Sequence, residues 1–508
     1  MKQPLSELYR DSLSLLTDLY ELTMAYSYWK SGTANKEAVF NLSFRSNPFK
    51  GGFAIACGLS HFIQYIQNAR FSAIDVEYLR TLTGNDGQPL FEEAFLEYLL
   101  ALKFDCDIDA IAEGSVVFAH EPIVRVKGPI ISCQILETAL LNIINFQTLV
   151  ATKAARLRLA AGDKSILEFG LRRAQGADGG ISATFASYIG GCDGSSNVLA
   201  GKLYGIPVKG THAHSWVMSY DDELESFKAY AEAMPNNSIF LVDTYDTLDG
   251  VKNAIEAGKW LKSKGHKFQG IRLDSGDFAY LSIEARKMLN EAGFSETLIF
   301  ASNDLDEHII QSLNDQGAQV DVWAVGTKLV TAYDQPSLGG VYKLTAVRRP
   351  GEKWQYKVKL SEQAVKISNP GIQQIRRFYT ESASAKLFIG DMIFDEAAKV
   401  PESYVIVDPV DFTRRKVVPP NTQYMDLLQP IFRKGELVYN PPSATEIREH
   451  SKEELGRLHP GIKRLLNPHQ YPVGLEQSLH QLKTDLIMVA RTDRDRRAKS
   501  ATDRPFFD

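Results

Sequence analysis

Six times between residues 165 and 331 the chain repeats one phrase: a short run rich in β-branched and aromatic residues, a polar or Gly turn, then a helical pattern. The copies read "SILEFGLRRAQG", "YGIPVKGTHAHS", "SIFLVDTYDTLDG", "FQGIRLDSGDFAY", "TLIFASNDLDEHI" and "VDVWAVGTKLVTA". The polar residues that mark them (Glu168, Thr211, Asp243, Asp274, Asn303 and Thr327) lie roughly 30 residues apart, the length of a strand, a loop and a returning helix. Such a rhythm leaves two architectures, a β/α barrel or a long doubly wound parallel sheet. In both, the carboxyl ends of the strands meet on one face and ligands bind there. The polar strand ends therefore predict one site.

Around this region the text changes. Residues 1–150 mix strand-like pieces such as "EAVFNLSF" with helical ones and predict an α+β domain; 151–350 hold the repeats. Residues 351–490, broken by Pro-Gly pairs, predict a C-terminal domain, and the charged "RTDRDRRAK" begins a solvated or disordered tail over 491–508. With 57 basic against 62 acidic residues and no earlier basic run, the chain is not expected to bind nucleic acid. The most apolar stretch, "ILETALLNIINFQTLV", carries Glu137, Asn142, Asn145 and Gln147 and predicts a core-facing helix, not a membrane span. Four cysteines without C-x-x-C spacing, and an amino terminus without a signal-peptide core, predict a cytoplasmic protein in a reducing compartment.

The strand-end residues divide by chemistry. "VKGTHAHSWV" sets His212 and His214 two apart, and on a strand such a pair could supply two imidazoles to one zinc, as in barrel metallohydrolases. The other histidines lie in helical, loop or terminal contexts, so the further ligands such a site needs are missing. Asp243 and Asp274, at the same depth on neighbouring units, instead offer a carboxylate to fix an imidazole's tautomer and raise its basicity. In "GIRLDSGD", Arg272 is a planar fork for a carboxylate or phosphate, Asp274 a partner for a cation or ribose hydroxyl, and Gly276 allows backbone amides to approach an anion. Arg172 or Arg173 could hold a pyrophosphate, and Gly326-Thr327 resembles a sugar-phosphate cradle. Neither a Walker A loop nor a G-x-G-x-x-G after a strand is present. Anion binders, two acids and a histidine suit phosphoryl and phosphoribosyl chemistry better than hydride or acyl transfer.

"TDLYELTMAY" (17–26), "LEFGLRRAQGADGG" (167–180), "GGCDGSSNVLAG" (190–201), "VKGTHAHSWV", "IRLDSGD", "SNDLDE" (302–307), "VGTKLVTAYDQPSLGGVYKL" (325–344) and "HPGIKRLLNPHQYPVGLE" (459–476) together resemble the nicotinate phosphoribosyltransferase family, in order, from about residue 10 to 485. The resemblance implies an α/β fold: the irregular β/α barrel of type II phosphoribosyltransferases, with an α+β domain and a C-terminal extension. It implies joining of nicotinate to phosphoribosyl pyrophosphate, giving nicotinate mononucleotide and pyrophosphate in NAD salvage. It further implies that ATP is a co-substrate hydrolysed through a phosphohistidine, that Mg²⁺ takes part and that the enzyme is formally a C–N ligase. A homodimer with shared active sites is also implied.

Residue by residue, His214 matches the phosphorylated histidine and His212 the variable position of the G-T-x-A-H pattern. Asp243 and Asp274 match carboxylates near it. Tyr20 matches an aromatic stacked on the pyridine ring from the partner subunit. Thr211 and Arg272 match nicotinate contacts. Thr327, with Gly326 beside it, matches a ribosyl-phosphate contact; Arg172, Asp274, Gly276 and Asn303 complete the expected phosphoribosyl pyrophosphate set. The sister nicotinamide family carries an acid near Gly194-Ser195-Ser196, so Ser195 predicts a preference for the nicotinate anion. The alternatives are the nicotinamide or quinolinate enzyme and, from another class, a metallohydrolase using the H-x-H pair.

Overall fold

A computed structural model describes residues 12–381, 386–398 and 404–502. The chain forms two compact units: Met1–Phe146 with Ser337–Pro441 and Glu454–Asp508, and Gln147–Pro336 with Pro442–Glu453. This differs from consecutive domains divided at 150, 350 and 490, because chain beyond 337 pairs with the first strands: Gly340–Arg348 lies antiparallel to Glu37–Phe44. Asn41 Nδ2 donates to Thr345 Oγ1 across this pairing at 2.9 Å.

The first unit holds a seven-stranded sheet, a six-stranded sheet and a two-stranded ribbon. Buried in it is an ion cluster in which Arg377, 0% exposed, meets Asp391 at 2.6 Å and Glu454 at 3.0 Å. Its closing helix, Gln477–Thr502, continues through 491–502. The segment "TDRDRRAKSAT" lacks Gly and Pro and extends the helix already begun, while 503–508 lie outside the described residues.

The second unit carries six parallel strands: β1 (Ser165–Glu168), β2 (Gly194–Ser195), β3 (Ile239–Leu241), β4 (Gly270–Leu273), β5 (Leu298–Ser302) and β6 (Val322–Val325). They lie in the order β2-β1-β6-β5-β4-β3. The helices are α1 (Gly176–Ile189), α2 (Val198–Tyr204), α3 (His214–Val217), α4 (Glu223–Ala233), α5 (Thr247–Ser263), α6 (Phe278–Glu291), α7 (Glu307–Asp315) and α8 (Thr327–Val330). All four residues of β6 are buried, the continuous apolar run of a strand covered on both faces. After β3, β4 and β5 the chain turns into a helix capped by Asp246, Asp277 and Asp306, whose side chains accept first-turn amides. Phe227, Phe240, Phe268, Ile271, Leu273 and Ile299 form the apolar mass beneath; each such side chain contributes about 1.5–3 kcal/mol by leaving water.

One expected strand is absent. "YGIPV" makes only an isolated parallel bridge, Ser195 to Val208, and the short β2 takes the place in the sheet. Pro207 has no N–H, so the segment cannot run a full ladder. It offers the Pro207 carbonyl to Ser195 N at 3.0 Å and takes the Ser195 carbonyl with Lys209 N at 2.9 Å. Toward β3, the other sheet edge, the stretch 210–212 is held by side chains: Asn237 Nδ2 donates to the Gly210 carbonyl at 3.1 Å and Leu241 N to His212 Nε2 at 3.2 Å. The barrel closes here by a loop, which is its irregularity.

By length and composition Ile130–Ala161 could cross a membrane, yet 61% of its most apolar window is buried inside the protein.

Candidate active site

A cavity of about 590 Å³ opens at the carboxyl ends of the six strands. Its wall includes Arg172 and Arg173 after β1, Ser196 after β2, Thr211 to His214 from the closing loop, Arg272 and Asp274 from β4, Asn303 and Asp304 after β5, and Gly326 and Thr327 after β6.

Arg272 organises the floor. Its Nη1 donates to Thr211 Oγ1 at 2.8 Å, its Nε to Ser302 Oγ at 2.9 Å and its Nη2 to Asp274 Oδ1 at 3.1 Å. Ser302 also donates to Asp274 Oδ1. Burial would raise the Asp274 pKa, but the Ser302 hydroxyl and the Arg272 charge outweigh it and hold the carboxyl below its ordinary value. Its other oxygen, Oδ2, stands 3.8 Å from His214 Nε2. The His214 Nδ1 meets Thr244 Oγ1 at 3.2 Å, which leaves this ring oriented from both sides and 39% exposed to the cavity.

The two histidines of the opening motif differ. Because the closing loop is not a strand, alternation does not put them on one side. Ala213 is the N-cap of α3 and His214 its first residue. His212 is 7% exposed, its ring packed edge-on to Tyr230 at 4.8 Å, with Nε2 taken by the Leu241 amide. Burial lowers its pKa to about 4. The zinc-pair reading fails on that occupied nitrogen, and among the described residues no group of three or more His, Cys, Asp or Glu side chains is arranged to hold a metal.

Other expected residues lie elsewhere. Asp243 and Gly276 are not among those lining the cavity. Asp243 Oδ2 accepts the Asp274 amide at 3.0 Å and the Ser275 hydroxyl at 2.6 Å, so it supports the β4 turn from beneath, while its Oδ1 is buried without a hydrogen-bond partner. Gly276, at φ +85°, turns the chain into α6. Tyr20 belongs to the first unit, on the helix Leu19–Lys30, 46% exposed, with its pKa raised by burial and by Glu137. Ser195 faces inward: it is 2% exposed and donates to Glu168 Oε2 at 2.6 Å. Neighbouring strand residues face opposite ways, so Ser196 is the one at the cavity.

Ser302, Thr244 and Asp304 were not singled out from the sequence, which offered Arg173 only as the alternative to Arg172 and Ser196 only as the neighbour of Ser195. Ser302 and Thr244 sit next to the chosen Asn303 and Asp243, and small hydroxyl residues carry no signal until a partner is seen. Asn303 holds φ +95°, a costly conformation for a side chain other than Gly, at the mouth of the site.

The comparisons agree with this architecture. Models of the nicotinate phosphoribosyltransferase N-terminal domain, family and C-terminal domain match residues 15–145, 165–370 and 372–483. The Bacillus subtilis nicotinate phosphoribosyltransferase is 44% identical, over 93% of this chain and 96% of its own length. The human one is 37% identical, over 93% and 96%. A crystal structure of human nicotinic acid phosphoribosyltransferase superposes with a TM-score of 0.80 at 35% identity, over 92% of this chain and 99% of that one. A nicotinate-nucleotide pyrophosphorylase from Pyrococcus furiosus shares the fold, at TM-score 0.64 and 23% identity. With its three regions matched in order and the barrel site in place, the chain belongs to the nicotinate phosphoribosyltransferase family.

Proposed function

We propose that this cavity joins nicotinate to phosphoribosyl pyrophosphate and that His214 carries a phosphoryl group from ATP during the cycle. The observation that supports this best is the pairing at its floor: an arginine locked by three neighbours beside a carboxylate whose second oxygen faces an accessible imidazole.

Arg272 offers the nicotinate carboxylate its positive charge and the one Nη2–H not already given to Thr211, His212, Ser302 or Asp274, and Thr211 lies beside it. Arg172 and Arg173, on the turn after β1, face the phosphates, with Asn303, Gly326 and Thr327 at the ribosyl-phosphate end. Breaking the anomeric bond builds positive charge on the ribose, so the side chains need only align the pyridine nitrogen and hold the leaving pyrophosphate. With its N–H at Nδ1 directed to Thr244, His214 attacks the γ-phosphorus of ATP through the lone pair of Nε2 and ADP leaves, while the ionised Asp274 offsets the positive charge that develops on the ring. Phosphorylated His214 adds negative charge to the cavity, which would tighten phosphoribosyl pyrophosphate were Mg²⁺ to accompany its phosphates.

Mg²⁺ fits as an ion brought by the phosphates, since it binds through one or two carboxylates plus substrate oxygens. Asp274 and Asp304 line the cavity, and the unpartnered Asp243 Oδ1 lies behind. The ion would neutralise charge on the departing pyrophosphate. A homodimer in which the partner's copy of Tyr20 stacks on the pyridine is supported by the exposure of that ring. A cytoplasmic setting suits four cysteines that are all buried and outside any disulfide.

Turnover with nicotinate and nicotinamide in competition, with and without ATP, tests the reading. It expects nicotinate to be preferred and H214A to lose the ATP stimulation; stimulation that survives in H214A overturns the phosphohistidine.

A further inference from the structure

We propose that His212 is a positioning residue: its imidazole clips the closing loop to β3 and so fixes where His214 meets Thr244 and Asp274 for phosphorylation. The inference rests on the reading of His214 as the phosphorylated group.

A barrel of parallel strands is normally held by backbone ladders, whose evenly spaced bonds fix each strand end relative to the next. At this seam, among the described residues, no backbone bond joins 210–213 to 239–241. The gap is bridged by the His212 ring, whose Nε2 takes the Leu241 N–H that a neighbouring carbonyl would otherwise take. Leu241 is the last residue of β3, three before Thr244, the partner of His214 Nδ1 at 3.2 Å. Both imidazoles of the pair are thus keyed to the same strand end, one to its amide and the other to its hydroxyl.

The backbone of His212 ties the loop to β4 as well. Its carbonyl accepts from Arg272 Nη1 at 3.4 Å and from Thr211 Oγ1 at 3.2 Å. The ring cannot swing away, because Tyr230 at 4.8 Å and Phe227 at 6.1 Å enclose it. His212 is therefore the one residue of the loop that touches β3 through its side chain and β4 through its backbone. Apolar filling alone would not do this: a residue of the same size without an acceptor leaves the Leu241 N–H buried and unpaired, and the loop, still held by Asn237 and Arg272, loses its bond to β3 beside Thr244.

The test compares H212F, which fills the space without an acceptor, H212Q, which places an oxygen near the Nε2 position, and H214A. Each is incubated with γ-labelled ATP and scored for acid-labile label, and for the ratio of ATP-stimulated to ATP-free turnover. Loss of one buried hydrogen bond, about 1.5 kcal/mol, corresponds to about a tenfold fall in label and ratio for H212F, and H212Q recovers most of both. A wild-type ratio in H212F, or H212Q behaving like H212F, overturns the proposal, since a merely structural role lowers both activities together. Should H212F fail to fold, H212N, too short to reach Leu241, takes its place in the comparison with H212Q. Label persisting in H214A overturns the phosphohistidine reading itself, whereas label absent there and normal in H212F overturns only the positioning role.

Discussion

Two of the chain's arginine–aspartate pairs share chemistry and differ in setting. Arg377 and Asp391, in the first unit, are both 0% exposed. Arg377 also reaches Glu454 and the Val116 carbonyl, and the Tyr471 hydroxyl donates to Asp391 at 2.7 Å, so the aspartate has both oxygens engaged. Arg272 and Asp274, at the end of β4, are 12% and 26% exposed. Here the arginine is equally restrained, but the aspartate keeps Oδ2 turned to His214. An ion pair sealed in the interior has nothing left to offer a ligand; one at a strand end, with a single oxygen unspent and a histidine beside it, has.

The sharpest break in this comparison comes from truncating both arginines. R272A is expected to lower kcat/KM about 10³-fold, a loss of about 4 kcal/mol in transition-state binding, with the urea midpoint little changed. R377A is expected to cost about 3–5 kcal/mol of folding stability by leaving buried carboxylates unpaired. Urea unfolding beside steady-state kinetics measures both, and equal stability losses would erase the distinction.

The next effect follows from proton linkage. Glu121 is buried beside Asp391, and burial followed by that neighbouring charge raises its pKa well above the ordinary value. An acid raised in the folded state contributes stability that is present below its unfolded pKa and lost as pH rises through the folded one. Asp274, lowered, behaves in the opposite sense: its contribution is present at every pH above the ordinary carboxylate pKa and is lost as pH falls through the lowered one. E121Q should therefore flatten the decline in stability on the alkaline side, and D274N should leave that limb unchanged. Urea midpoints across pH 5–9 show which residue governs it.

The smallest effect concerns Asn303. N303G relieves a positive φ that costs about 1–3 kcal/mol against about 0.4–1 kcal/mol of added unfolded-chain freedom, so stability should rise slightly, while catalysis falls if the side chain serves the phosphate end. A thermal melt beside kinetics decides; unchanged activity would remove Asn303 from the site.

Much of this was legible beforehand because a parallel strand ending in a polar residue is a local signal. Arg272, Asp274, Asn303 and Thr327 were found that way, and their strands lie where the rhythm put them. What was hidden depends on distant partners. "YGIPV" has strand composition, but Pro207 denies it a ladder and two residues of "GGCDGSS" pair instead. Ser195 and Ser196 are alike in sequence, and only the direction of β2 sends one to Glu168 and the other to the cavity. His212 looked like the lesser half of a pair until Leu241, 29 residues away, was seen to bond it. The first unit's discontinuity rests on pairings such as Asn41 with Thr345, separated by 304 residues, which no local period encodes.

The central claim is that His214, held between Thr244 and Asp274, accepts a phosphoryl group. Mass-spectrometric mapping of acid-labile phosphate after incubation of the wild-type enzyme with ATP and Mg²⁺ addresses it most directly. The account predicts one phosphate per chain at His214, discharged when nicotinate and phosphoribosyl pyrophosphate are added. Phosphate found on another residue, or a His214 that stays unmodified while ATP is consumed, would contradict it.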